Sequence, residues 1–131
     1  MTLFINTASF DEIIITLFGG DGKKIKTKKF KAPRKQAEKL LPAVDKLIKD
    51  AGHSLSDLKK IQVVVTGGSF TSLRIGVVTA NALAYALNIS VEAVLATGEV
   101  LENQQAKKFA TYNIVTPQYD REPNIGIKKK K

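Results

Sequence analysis

The chain reads as a single α/β domain on a mixed sheet with the element order βββαβαβα, and three features of the sequence carry that reading. Strand-forming residues fill Thr2–Asn6, Glu12–Phe18 and Lys23–Phe30, and the glycines of Gly19-Gly20-Asp21-Gly22 supply the positive φ that a tight hairpin needs, so the domain opens as an antiparallel meander. Apolar residues then recur at the i, i+3, i+4, i+7 spacing of a helix. Finally, the apolar strand ending at Val65 runs through Thr66-Gly67-Gly68-Ser69 straight into a long apolar helix, a strand–glycine turn–helix junction.

Taken in order, Thr2–Asn6 is a short buried strand, Glu12–Phe18 a second, and Lys23–Phe30 a third with Ile25 set among lysines. Ala32-Pro33 breaks that strand and starts a helix, Pro33–Ala51, whose Ala37, Leu40, Leu41, Val44, Leu47, Ile48 and Ala51 share one face; Gly52 ends it. Ser54-Leu55-Ser56-Asp57 makes a capped turn into Leu58–Val65, where Val63-Val64-Val65 suits a sheet covered on both faces. In the next helix, Thr71–Leu87, one row holds Leu73, Val77, Ala80, Ala84 and Leu87, while Ile75, Val78, Ala82, Tyr85 and Ala86 leave little polar surface. A helix apolar all round is buried on more than one side, and the small residues Gly76, Ala80 and Ala84, one turn apart, allow another helix to come close. A partner protein is the economical cover. Ser90–Ala96 reads as a strand, Glu99–Phe109 as a helix and Thr111–Thr116 as a last strand, giving one domain over 1–116 and a tail over 117–131.

At 131 residues the chain has the size of one domain and is long enough for a real core. It has no cysteine, which excludes disulfides and thiolate metal sites. No run reaches the roughly 20 apolar residues of a membrane span, and Met1–Ser9 lacks the pattern of a signal peptide, so the expectation is a cytoplasmic protein without a membrane partner. The net charge of +9 is concentrated: eight of the residues from Lys23 to Lys35 are basic, and Lys128–Lys131 close the chain. Such clusters steer a protein toward an anion such as tRNA, or simply keep an edge strand from aggregating and a tail solvated. Few aromatic residues interleave with the lysines.

The inventory for catalysis is thin. His53 stands alone, so neither a zinc-protease histidine pair nor a nucleophile–histidine arrangement can be assembled. The glycine junction lacks the Lys-Ser/Thr of a phosphate loop and the third glycine of a dinucleotide fingerprint. Ser69, Thr71 or Ser72 can cap the helix, and Phe70 either plugs the core or faces a partner. Arg74, near the positive end of the helix, either snorkels to solvent or makes an interface contact.

The segment Thr66-Gly67-Gly68-Ser69-Phe70-Thr71-Ser72-Leu73-Arg74-Ile75-Gly76 resembles the Gly-Pro-Gly-Ser-Phe-Thr-Gly-Leu-Arg-Ile-Gly signature of the TsaB family, which works in tRNA threonylcarbamoyladenosine synthesis. Gln36-Ala37-Glu38-Lys39-Leu40-Leu41-Pro42 resembles the family's His-Ser-Glu-Arg-Leu-Leu-Pro, and the likeness runs from about Phe4 to Leu101, with Pro117–Pro123 similar to the end of longer members. The chain departs from the signature at Gln36, Thr66, Gly67 and Ser72. The resemblance implies one half of an actin/sugar-kinase/Hsp70-type fold, ribonuclease H-like, in a form without the second domain. It also implies a non-catalytic subunit docking on a TsaD-like catalytic subunit, with a TsaE-like ATPase as a further partner, tRNA reached indirectly, and a homodimer when alone. The implied interface is Leu40, Leu41, Val44, Ser69, Phe70, Leu73, Arg74, Gly76, Val77, Ala80 and Ala84. Asn6, Thr7 and Ser9 fall on the superfold's phosphate-facing turn, with Asn6 where an Asp would help organise a metal-bound nucleotide; here the turn is structural or vestigial. No catalytic residue, metal or cofactor is expected of the chain itself, with ATP or ADP and Mg²⁺ left to the partner or the interface. The rival readings are a basic tRNA- or RNA-binding module and a reduced free-standing phosphotransferase or peptidase.

Overall fold

The computed structural model describes residues 1–9, 11–101, 107–109 and 112–114. A five-stranded mixed sheet is formed by β1 (Thr2–Asn6), β2 (Glu12–Phe18), β3 (Lys24–Lys31), β4 (Lys60–Val64) and β5 (Ser90–Val94), in the spatial order β3-β2-β1-β4-β5. The first three strands are antiparallel neighbours, and β4 and β5 run parallel to β1, as in the actin-like, ribonuclease H-like half expected from the sequence. Helix α1 (Gln36–Asp50) connects β3 to β4, and α2 (Phe70–Leu87) connects β4 to β5.

Alternation along the strands decides where the core lies. Leu3 and Ile5, Ile13, Ile15 and Leu17, Ile61 and Val63, and Val91 and Ala93 all point to one face. There they join Leu40, Val44, Leu47 and Ile48 of α1 and Val77, Ala80, Leu83 and Ala84 of α2 in a single cluster, so both helices cover the same side of the sheet. At roughly 25 cal/mol per Å² of apolar surface, this is the dominant stabilising term. A smaller cluster of Phe4, Val64, Leu73 and Val94 lies apart from it.

Helix α1 starts later than Pro33, because Arg34 takes a left-handed φ of 63° and the chain turns before Gln36. At its other end Gly52, with φ of 82°, lets the His53 N–H reach the Ile48 carbonyl, so the helix closes where the sequence placed the stop. Asp57 then accepts the Ser54 N–H at 2.9 Å, which, with His53 beside it, holds the Asp57 carboxyl below the ordinary carboxylate range.

The expected Glu99–Phe109 helix is corrected at both ends. Gly98, at φ of 92°, reverses the chain, so that the Leu95 N–H bonds the Glu99 carbonyl and the Leu101 N–H bonds the Ala93 carbonyl. Val100 bridges back antiparallel to Val94, and the Glu99 carbonyl that would accept the first bond of a helix is already taken by the Leu95 N–H. Lys107–Phe109 is a strand, β6, paired antiparallel with β7 (Tyr112–Ile114), which lies inside the expected last strand. Residues 102–106 and the tail over 117–131 lie outside the described residues.

At 18 residues α2 is long and apolar enough, by composition, to cross a membrane. Its inner row is instead packed on the sheet: Leu73, Gly76, Val77, Ala80 and Ala84 are buried. This turns the row expected to face a partner inward, so a carboxylate there tests the core. Ala80→Glu is expected to cost about 3 kcal/mol or more, because it strips the charge of water without offering a cation. A thermal melt followed by circular dichroism checks it; a variant as stable as the parent would remove this helix row from the core.

Candidate functional site

The turn after β1 and the start of α2 meet at a backbone approach only glycine permits. A Cβ on Gly68 would overlap the Ala8 carbonyl, and a Cβ on Gly76 would overlap the Thr7 hydroxyl. Across this contact the Ser69 N–H donates to the Ala8 carbonyl at 3.1 Å, and the buried Thr7 hydroxyl donates to the Ser72 carbonyl at 2.5 Å. Ser69 caps the helix, its Oγ accepting the Ser72 N–H at 3.1 Å, as the sequence suggested.

Gln36, the first residue of α1, closes the network. The Ser72 hydroxyl donates to Gln36 Oε1 at 2.9 Å, while Gln36 Nε2 donates to the carbonyls of Ser9 at 2.7 Å and Glu12 at 3.2 Å. Gln36 is 4% exposed and Ser72 2%, so both buried polar side chains are hydrogen-bonded. The side chain at Ser72 that departs from the family signature is therefore what grips α1.

Asn6 folds back on its own turn: its Oδ1 accepts the Ala8 N–H at 2.9 Å. Ser9 donates its hydroxyl to Asp11 at 2.8 Å on the exposed side of the same turn. Among the described residues no group of three or more His, Cys, Asp or Glu is placed to hold a metal ion. His53 is remote from this turn, 3.4 Å from Asp57 at the opposite end of β1, where the Met1 amine reaches the Asp57 carbonyl. Asn6, Thr7 and Ser9 thus come together as a clamped turn.

The residues expected at an interface divide in two. Leu40, Val44, Leu73, Gly76, Val77, Ala80 and Ala84 are buried in the domain, whereas Leu41 and Phe70 are 49% and 37% exposed and Arg74 is exposed; Ser69 is half-buried as the cap. Outward from α2 run Val78, 57% exposed, Ala82 and Tyr85, 61% exposed, on one stripe with Arg74. Leu41 and Ala37 of α1 border the same stripe, and together with Val78, Ala82 and Ala86 they line a shallow apolar groove of about 310 Å³. Arg74 is the one charged residue in α2. The sequence already showed these outward apolar positions; what it lacked was which of two apolar faces meets the sheet, and the Gly76–Thr7 contact settles that.

The TsaD family model, described as tRNA N6-adenosine threonylcarbamoyltransferase, matches residues 30–113. A curated relative, the tRNA threonylcarbamoyladenosine biosynthesis protein TsaB of Bacillus subtilis (strain 168), is 44% identical over 54 residues, which is 41% of this chain and 24% of that protein. Among solved structures, YeaZ from Pseudomonas aeruginosa superposes with a TM-score of 0.65 at 31% identity, covering 72% of this chain and 43% of that one. A Pseudomonas aeruginosa protein described as uncharacterised, with similarity to peptidase YEAZ, gives 0.66 at 31% identity over 72% and 42%. The chain spans less than half the length of these relatives.

Ser72→Ala is expected to cost about 1–3 kcal/mol, because Gln36 Oε1 stays buried without its donor. Chemical denaturation measures it; an unchanged midpoint would show that the α1–α2 clamp contributes nothing.

Proposed function

The chain is a TsaB-like member of the TsaD family, and from that membership we propose that it takes part in tRNA threonylcarbamoyladenosine synthesis as a non-catalytic subunit that docks on a TsaD-like catalytic subunit. The observation that carries this reading is the exposed apolar stripe of α2, Val78, Ala82 and Tyr85, beside Leu41 of α1. An apolar stripe with one charge at its end is unusual on a surface bathed in water, and it suits a helix laid alongside from another subunit. The catalytic partner supplies the threonylcarbamoyl transfer to the adenosine N6; this chain supports it by docking.

A non-catalytic role is supported by Asn6, which spends its carbonyl oxygen on its own turn and brings no carboxylate to organise a metal-bound nucleotide. Ser9 and Asp11 form a hydroxyl–carboxylate pair with no histidine between them, a poor start for a hydrolase. Without the catalytic subunit, the same stripe pairs two copies of this chain.

Val78→Glu places a carboxylate on the stripe while leaving the core untouched. The variant is expected to melt like the parent, to lose affinity for the TsaD-like protein of the same organism by about 100-fold or more, and to abolish threonylcarbamoyladenosine formation when tRNA nucleosides are assayed from the mixture. Alone, the parent is expected to elute as a dimer and the variant as a monomer. A folded Val78→Glu chain that still joins the catalytic subunit normally would place the docking surface elsewhere.

A further inference from the structure

Among the described residues both helices lie on one side of the sheet, and the other face, where Phe4, Val64 and Val94 form their own small cluster, holds a broad recess of about 1120 Å³. Its floor is built from Thr16, Phe18, Thr27 and Gln62, with the Thr16 and Thr27 hydroxyls 3.0 Å apart. On one side the Gly19–Gly22 turn brings in Lys24; on the other stand Lys59 and Lys60 at the start of β4.

The strand register sorts the lysines that the sequence presents as one run. Lys24 pairs with Phe18, and Thr27 with Thr16, on the open face, whereas Lys26 and Lys28 pair with Leu17 and Ile15 and share the helix-side face. Protection of an edge strand explains lysines on β3 of either face. It does not explain Lys59 and Lys60, because β4 is paired on both sides, to β1 and to β5. Lys60 lies 3.4 Å from Glu92, but Lys24 and Lys59 have no acidic partner among the described residues. Two uncompensated cations therefore flank a floor of hydroxyls and an aromatic ring, while on the β4–β5 side the Glu92 carboxylate engages both Lys60, at 3.4 Å, and the Gln62 amide, at 3.0 Å.

We infer that this face of the sheet binds an unpaired segment of tRNA, with phosphates held by Lys24 and Lys59 and a base laid on Phe18. Ammonium groups on flexible stems neutralise successive phosphates, and the threonine hydroxyls of the floor match sugar hydroxyls and base edges. A half-buried phenylalanine gives a splayed base its stacking surface. The recess is too wide for a single inorganic anion. The inference rests on the proposed role only in naming tRNA as the RNA.

The test uses the full chain without any protein partner, titrated into unmodified tRNA at several salt concentrations. Lys24→Gln/Lys59→Gln is expected to weaken binding at least tenfold at low salt, and to lower the slope of log K against log salt by about 1.5, two phosphate contacts' worth. Lys26→Gln/Lys28→Gln removes the same charge from the other face of the sheet and is expected to stay within twofold of the parent. Equal losses in the two double variants would mean diffuse attraction and overturn the inference, as would failure of the parent to bind tRNA at low salt. So would a duplex RNA that competes as well as a single strand of equal length. Val78→Glu is expected to bind tRNA normally, and Lys24→Gln/Lys59→Gln to join the catalytic subunit normally, so failure on one face is read separately from failure on the other.

Discussion

The approach of α2 to the turn after β1 is the constraint on which the rest of the architecture depends. Glycine in a helix interior costs about 1 kcal/mol relative to alanine, yet Gly76 sits where any Cβ would displace the Thr7 hydroxyl. That cost is offset by what the approach permits: Thr7 donates to the Ser72 carbonyl, Ser72 reaches Gln36, and Gln36 holds the carbonyls of Ser9 and Glu12. One buried polar chain thus ties β1, the segment entering β2, α1 and α2 together. Because each member is satisfied, the network fixes the rotation of both helices against the sheet, which an apolar core alone would specify less sharply.

That rotation decides what is left outside. With Gly76, Ala80 and Ala84 turned to the core, the larger Val78 and Tyr85 have nowhere to go but outward. The exposed stripe is therefore a consequence of close packing on the inner face. A helix with two apolar faces, one of them packed on the sheet and α1, leaves the other for another chain.

Much of this was legible in the sequence, and the failures have physical causes. The strands and both helices were readable because their periodicity, glycine turns and breakers agree, as at Gly19–Gly22 and Gly52. The facing of α2 was not, because a helix apolar all round gives no moment from which to choose a side; the choice is made by a contact between Thr7 and Gly76, 69 positions apart in the numbering. The Gln36–Ser72 link was equally hidden, since neither residue type announces burial. At Glu99–Phe109 the expected helix gives way because the reversal at Gly98, a backbone feature that composition does not report, returns Val100 and Leu101 to β5. The lysine run over Lys23–Lys35 was visible as charge, but its division between two faces depends on the β2–β3 register and the bulge beside Phe18.

That division bears on how one small domain can serve two partners. The helices claim one side of the sheet, so a catalytic subunit laid on Val78 and Tyr85 and an RNA laid on Phe18 occupy opposite sides of the same sheet and do not compete for surface. The sheet between them is stiffened by the clamped turn at Thr7–Ser9. In the proposed assembly, then, coupling between the two faces needs no conformational change in this chain. Rigid placement is enough, because a subunit that holds RNA on one side at a fixed orientation to the helices on the other raises the local concentration of substrate at its partner.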